Sequence, residues 1–79
     1  MSNKARQLLP GDRVLLNALP TGLLEGVPLD DQQAIAAVVG KAVLLSEYDG
    51  DGRAELQFTD ARGRIHFLYV EPGFTRPIE

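Results

Sequence analysis

Seventy-nine residues, 44% of them hydrophobic, with a formal net charge of −3 and a pI near 5.0, describe one small acidic domain. The absence of cysteine and a single histidine, His66, exclude disulfides, thiolate catalysis and any cysteine- or histidine-based metal cage within one chain. A chain this short buries only roughly 60% of its unfolded surface, so it depends on tight packing or on covering a face with another subunit.

Met1–Gln7 is polar and is expected to be a flexible N-terminus, with residues 8–79 forming the domain. No apolar segment suited to a signal peptide follows it, and the longest apolar run, Ala34–Val39, is far short of a membrane span. A cytoplasmic protein is the reading this supports. After a turn at Pro10-Gly11, Arg13–Asn17 is the first predicted strand, with Val14 and Leu16 alternating against Arg13 and Leu15. Ala18–Leu29 is a connection punctuated by Pro20, Gly22, Gly26 and Pro28, yet it carries Leu19, Leu23 and Leu24. Such a loop folds back over an apolar surface or offers its leucines to a partner.

A short helix is predicted over about 30–39. Asp30 is its expected N-cap, with Gln33 at capping-box spacing and Leu29 placed to staple onto Ala34. Ile35, Val38 and Val39 form the predicted apolar face, and Gly40 the stop. Three strands then form a meander: Lys41–Tyr48, Arg53–Thr59 and Arg64–Val70, separated by Asp49-Gly50-Asp51-Gly52 and Asp60-Ala61-Arg62-Gly63. In the middle strand Ala54, Leu56 and Phe58 share one face, leaving Arg53, Glu55, Gln57 and Thr59 on a wet one. Ala42–Leu45 and Ile65–Val70 are apolar on both faces, more than so small a chain can cover. The tail turns at Pro72-Gly73, and a short closing strand is predicted around Phe74–Arg76, with Phe74 plugging one end.

This order of elements resembles the SH3-like small barrels and short bacterial proteins of that shape. The residues that carry the resemblance are Gly11-Asp12-Arg13-Val14, Gly40-Lys41-Ala42-Val43 and Gly52 to Phe58, within a match extending from about Leu9 to Ile78. The resemblance implies a mainly β, five-stranded SH3-like barrel with one short helix inserted between the first and second strands. It implies no single function, because the fold serves peptide, RNA and subunit recognition alike. The chain has no Trp to line a proline-rich peptide groove, and the pore motif Val-Gln-Ile-Tyr of the plasmid-borne reductases of this fold is absent.

Three constellations bear on chemistry. Asp49-Gly50-Asp51-Gly52 has acids at two of the spacings of a calcium loop, but Arg53 and Ala54 occupy the positions that loop needs for a ligand and a glycine, so a hairpin turn is expected. His66 sits among apolar residues, and the only serines are Ser2 and Ser46, so a locally hydrogen-bonded sheet histidine is expected rather than a general base. Tyr48, Phe67 and Tyr69, with Arg53, Arg62 and Arg64 at the turns, would suit single-stranded nucleic acid if they shared one surface. The acidic balance argues against it: Asp12, Glu25, Asp30, Asp31, Glu47, Asp49 and Asp51 face only Arg13 and Lys41 over the first two thirds of the domain.

The reading that follows is a non-enzymatic protein-interaction module, without cofactor or metal, that binds a protein partner or a second copy of itself through Leu23, Leu24, Val27 and Leu29. The alternative is a nucleic-acid-binding barrel using Tyr48, Arg53, Arg62, Arg64 and Tyr69.

Overall fold

A computed structural model describes residues 8–78; the expected flexible segment Met1–Gln7 lies outside the described residues. Five antiparallel strands and one α-helix follow in the order β1 (Arg13–Leu16), α1 (Leu29–Ala37), β2 (Ala42–Tyr48), β3 (Ala54–Thr59), β4 (Ile65–Val70) and β5 (Thr75–Pro77), with a 3₁₀ turn at Pro72–Phe74 before β5. The sheet order is β4-β3-β2-β1-β5. Its two ends, β4 and β5, are not paired with one another among the described residues, so the sheet is not closed into a barrel. No helix among the described residues is long and apolar enough to cross a membrane.

The alternation in β1 places Val14 and Leu16 in the core, as predicted. Across the meander the register sets Leu45 on β2 beside Leu56 on β3, and Leu56 beside Leu68 on β4. These three leucines form the centre of the core, with Val43, Ala54, Phe58 and Val70 around them. An irregularity between Leu45 and Glu47 lets β2 accommodate one extra residue, Ser46. Leu19, Leu23, Leu24 and Val27 of the connection all pack against this core, and Phe74 does the same from the other end of the chain.

The two hairpin turns are built alike. In each, an aspartate N–H donates to the carbonyl four residues on (Asp49 to Arg53, Asp60 to Arg64, both 2.9 Å). The same aspartate's Oδ1 accepts the N–H groups of the second and fourth residues after it, at 2.8–3.0 Å. The fourth position of each turn is a glycine, Gly52 or Gly63, with φ of +82° and +84°, a conformation that side chains disfavour. Both turns therefore read Asp-x-x-Gly-Arg, and each aspartate keeps its Oδ2 free for a second partner.

The helix departs from its prediction in three ways. It begins at Leu29, its N-cap is Pro28, and no side chain caps it; Asp30 lies inside the first turn. The cause is Pro28, whose φ of −55° and ψ of 147° set the chain direction one residue earlier than Asp30 would. Leu29 is consequently 66% exposed rather than stapled to Ala34. The helix ends at Ala37, and Val39 leaves its apolar face to bridge Leu16, while the Gly40 N–H donates to the Leu16 carbonyl at 2.7 Å. Gly40, at φ +83°, serves the entry to β2 rather than the helix stop.

The face of β3 expected to be wet is not uniformly so. Glu55 is buried, because Tyr69 on the neighbouring strand leans over it and donates its hydroxyl to Glu55 Oε2 at 2.7 Å.

Candidate functional site

Strand β4 carries the surface that stands out. Its even positions, Leu68 and Val70, enter the core, and its odd positions point away from it. Those odd positions are Ile65, Phe67 and Tyr69, at 58%, 54% and 41% exposure: a continuous apolar row on one strand. The row flanks Thr59, Gln57 and Glu55 of β3, its partners in register. Among the described residues nothing is paired with the other side of β4, which ends the sheet. At its far end the row meets a hollow of about 390 Å³, whose lining includes Leu23, Arg53, Tyr69 and Phe74. The leucine connection and β4 thus contribute to one surface.

Arg53 is held at this hollow by Asp49, whose Oδ2 accepts its Nε–H at 2.8 Å, and its guanidinium lies 5.7 Å from the centre of the Tyr69 ring. These bonds, with the backbone N–H of Arg53 foremost, hold the Asp49 carboxyl below its ordinary range. The Glu55 carboxylate accepting its hydroxyl pushes Tyr69 upward from its ordinary value, so the phenol stays protonated and keeps donating.

A second concavity, of about 510 Å³, lies between α1 and the β3–β4 turn; Asp30, Asp31, Lys41, Asp60, Arg62 and Arg64 are among its lining residues. His66 stands beside it. Its Nε2 is 2.8 Å from Asp60 Oδ2, its Nδ1 is 3.8 Å from Asp31 Oδ1, and its ring stacks on Phe58 with centroids 5.0 Å apart. With Asp60 ionised, Nε2 carries the proton and donates. Asp60, bonded by His66 and by the N–H groups of Arg64 and Arg62, has its carboxyl lowered to about 2. The arrangement ties the turn to the helix through a fixed imidazole. The lining includes neither serine nor cysteine, and no three acids or histidines among the described residues are grouped to hold a metal ion.

The residues named from the sequence are distributed as follows. Leu23, Leu24 and Val27 are half-buried against the core, and Leu29 stands exposed at the start of α1. Tyr48 and Tyr69 do not share a surface. Tyr48 pairs with Ala54 on the core side and its hydroxyl donates to the Leu8 carbonyl at 2.9 Å, whereas Tyr69 pairs with Glu55 on the opposite face. Arg62 and Arg64 line the α1 cleft, away from Arg53. The stacking platform for nucleic acid is therefore not assembled. Phe67 and Tyr69, named from the sequence as sharing a surface, do so, without Tyr48; what the sequence reading missed is Ile65 beside them. The signal was present in the two-sided apolar pattern of Ile65–Val70, but the neighbour that would decide which face is covered was not.

Comparison of the chain with protein-family models, with curated proteins and with solved structures gives no match.

Proposed function

We propose that this chain is a non-enzymatic protein-interaction module that engages a protein along the outer face of β4, from Ile65 through Phe67 and Tyr69 to the hollow beside Leu23. The observation that carries this reading is the unbroken row of three large apolar side chains on the last strand of the sheet. Isolated exposed hydrophobics are ordinary, but a contiguous row beside an unpaired backbone edge is the arrangement that strand-addition interfaces use. The SH3-like reading of the fold belongs with this proposal and is supported by the order of elements alone: a first strand, a long excursion carrying the helix, a three-strand meander and a short closing strand. Relative to the loop-centred reading, the contact shifts from Leu24 and Val27, which serve the core, to β4.

The double substitution Ile65→Lys with Phe67→Lys tests it. Both side chains are more than half exposed, so the variant is expected to melt within a few degrees of the parent while losing capture of its partner in a nuclease-treated pull-down. Capture that survives in a folded double variant would remove β4 from the interface and sink the proposal.

A further inference from the structure

The same face points to its occupant. We infer that β4 pairs antiparallel with β4 of a second copy of this chain, joining two five-stranded sheets into one; this rests on the interaction-module reading and names its partner.

The first argument comes from the hydrogen-bond register. In the β3–β4 hairpin the Asp60 N–H bonds the Arg64 carbonyl, which fixes Asp60 and Arg64 as a hydrogen-bonded pair. Because such pairs alternate with non-bonded ones, Phe58–His66, Leu56–Leu68 and Ala54–Val70 are the bonded pairs of this ladder. The N–H and C=O groups of Ile65, Phe67 and Tyr69 therefore point away from β3, out of the sheet edge. They have no other main-chain partner among the described residues. The residues whose side chains form the exposed row are thus the ones whose backbone is unpaired.

The second argument is self-complementarity. Set antiparallel about Phe67, two copies place Phe67 opposite Phe67 of the second copy, and Ile65 opposite Tyr69 of the second copy. All three resulting pairs are of the outward-facing kind, so each exchanges two N–H···O bonds. Aromatic–aromatic and aromatic–β-branched neighbours are the favourable cross-strand combinations.

The third argument is charge. β4 is preceded by Arg62 and Arg64 and followed by Glu71, all exposed. Antiparallel pairing sets the basic end of each strand against the acidic end of the other, whereas parallel pairing would set like charges together. The opposite edge has no such provision, since Pro77 blunts β5. A pairing of five residues per copy is small, so the dimer is expected to be concentration-dependent, with an affinity of roughly micromolar or weaker.

Sedimentation and amide hydrogen exchange on the full chain, from low-micromolar to millimolar concentration, test this. The mean mass is expected to rise from 8.6 kDa towards twice that value. Over the same range exchange at Ile65, Phe67 and Tyr69 is expected to slow, while His66, Leu68 and Val70 are protected throughout. Phe67→Lys should hold the chain at monomer mass. Glu71→Arg should weaken the dimer several-fold, and adding Arg62→Glu should restore it. A constant monomer mass, or a dimer that forms without slowing those three amides, overturns the inference. A monomer whose capture of another protein is still abolished by Ile65→Lys with Phe67→Lys also overturns it, but leaves the interaction module standing with a different chain as partner. A monomer whose capture ignores both substitutions overturns the two together.

Discussion

Leu56→Ala is expected to lower the melting temperature by at least about 10 °C. Leu56 is fully buried at the middle of β3, flanked in register by Leu45 on β2 and Leu68 on β4. Truncating it removes a methine and two methyl groups from the one point where three strands press their largest aliphatic side chains together. Such a substitution costs about 2–5 kcal/mol, with the larger values where the surroundings do not collapse into the space. Collapse is hindered here because the neighbouring leucines are fixed by strand pairing on both sides. A domain of this size has about 4–12 kcal/mol of total stability, so from about a sixth to all of it is at stake. Thermal unfolding followed by circular dichroism reads the effect, and Leu29→Ala, at a 66% exposed position, is the matched control expected to change little. A shift of less than about 5 °C for Leu56→Ala would show that the three-leucine row is not the centre of the core.

The second large effect is on acid stability. Asp60 accepts N–H groups from Arg62 (2.8 Å), Arg64 (3.0 Å) and His66 (2.8 Å), and its folded carboxyl sits at about 2, below the ordinary 3.8. A carboxyl lowered by folding binds protons more readily in the unfolded chain. Its contribution is therefore complete above the ordinary value and disappears as the pH falls from about 4 towards 2. Asp49, lowered chiefly by the backbone N–H of Arg53 in the twin turn, steepens the same limb. Asp60→Asn retains an oxygen for the two backbone donors but cannot ionise. Urea midpoints measured from pH 5 to pH 2 (roughly the span over which a lowered carboxyl titrates) should fall less steeply for this variant than for the parent. Asp60→Ala should also destabilise the fold at neutral pH, where it leaves two turn N–H groups and the imidazole without their acceptor. Identical acid limbs for parent and Asp60→Asn would remove Asp60 from the account.

How far the sequence reaches differs from element to element, for physical reasons. Strand alternation in Arg13–Leu16 and Ala54–Phe58 is a local property and was readable, as were both hairpin turns from their aspartates and glycines. The helix was located but shifted by a residue, because the backbone preset by Pro28 outweighed the capping preference of Asp30. Glu55 defeated the alternation rule: a charged residue on the outer face became buried through a hydroxyl fourteen positions away, on a strand whose register the pattern alone leaves open. The candidate surface was legible only as an excess of apolar residues. Which of them remain uncovered depends on the sheet order, and so Leu23, Leu24 and Val27 were favoured over Ile65 and Phe67. The local bond expected of His66 is made to Asp60 in the same hairpin, whereas its approach to Asp31 on the helix has no local signature.

The strand pairing also distributes the entropic cost of ordering the chain very unevenly. β2, β3 and β4 are joined by turns in which the aspartate bonds span at most four residues, so each hairpin closes a short loop. The contact between β1 and β5 instead brings Val14 to Pro77, across nearly the whole described chain, and it is sealed by short strands and the Asn17 N–H donating to the Phe74 carbonyl at 2.8 Å. Loop-closure entropy grows with the length enclosed, so this one junction bears the largest closure cost with few main-chain bonds to offset it. The meander is held by its own local sequence, whereas the meeting of the chain's two ends is sustained by the core that the meander has already organised.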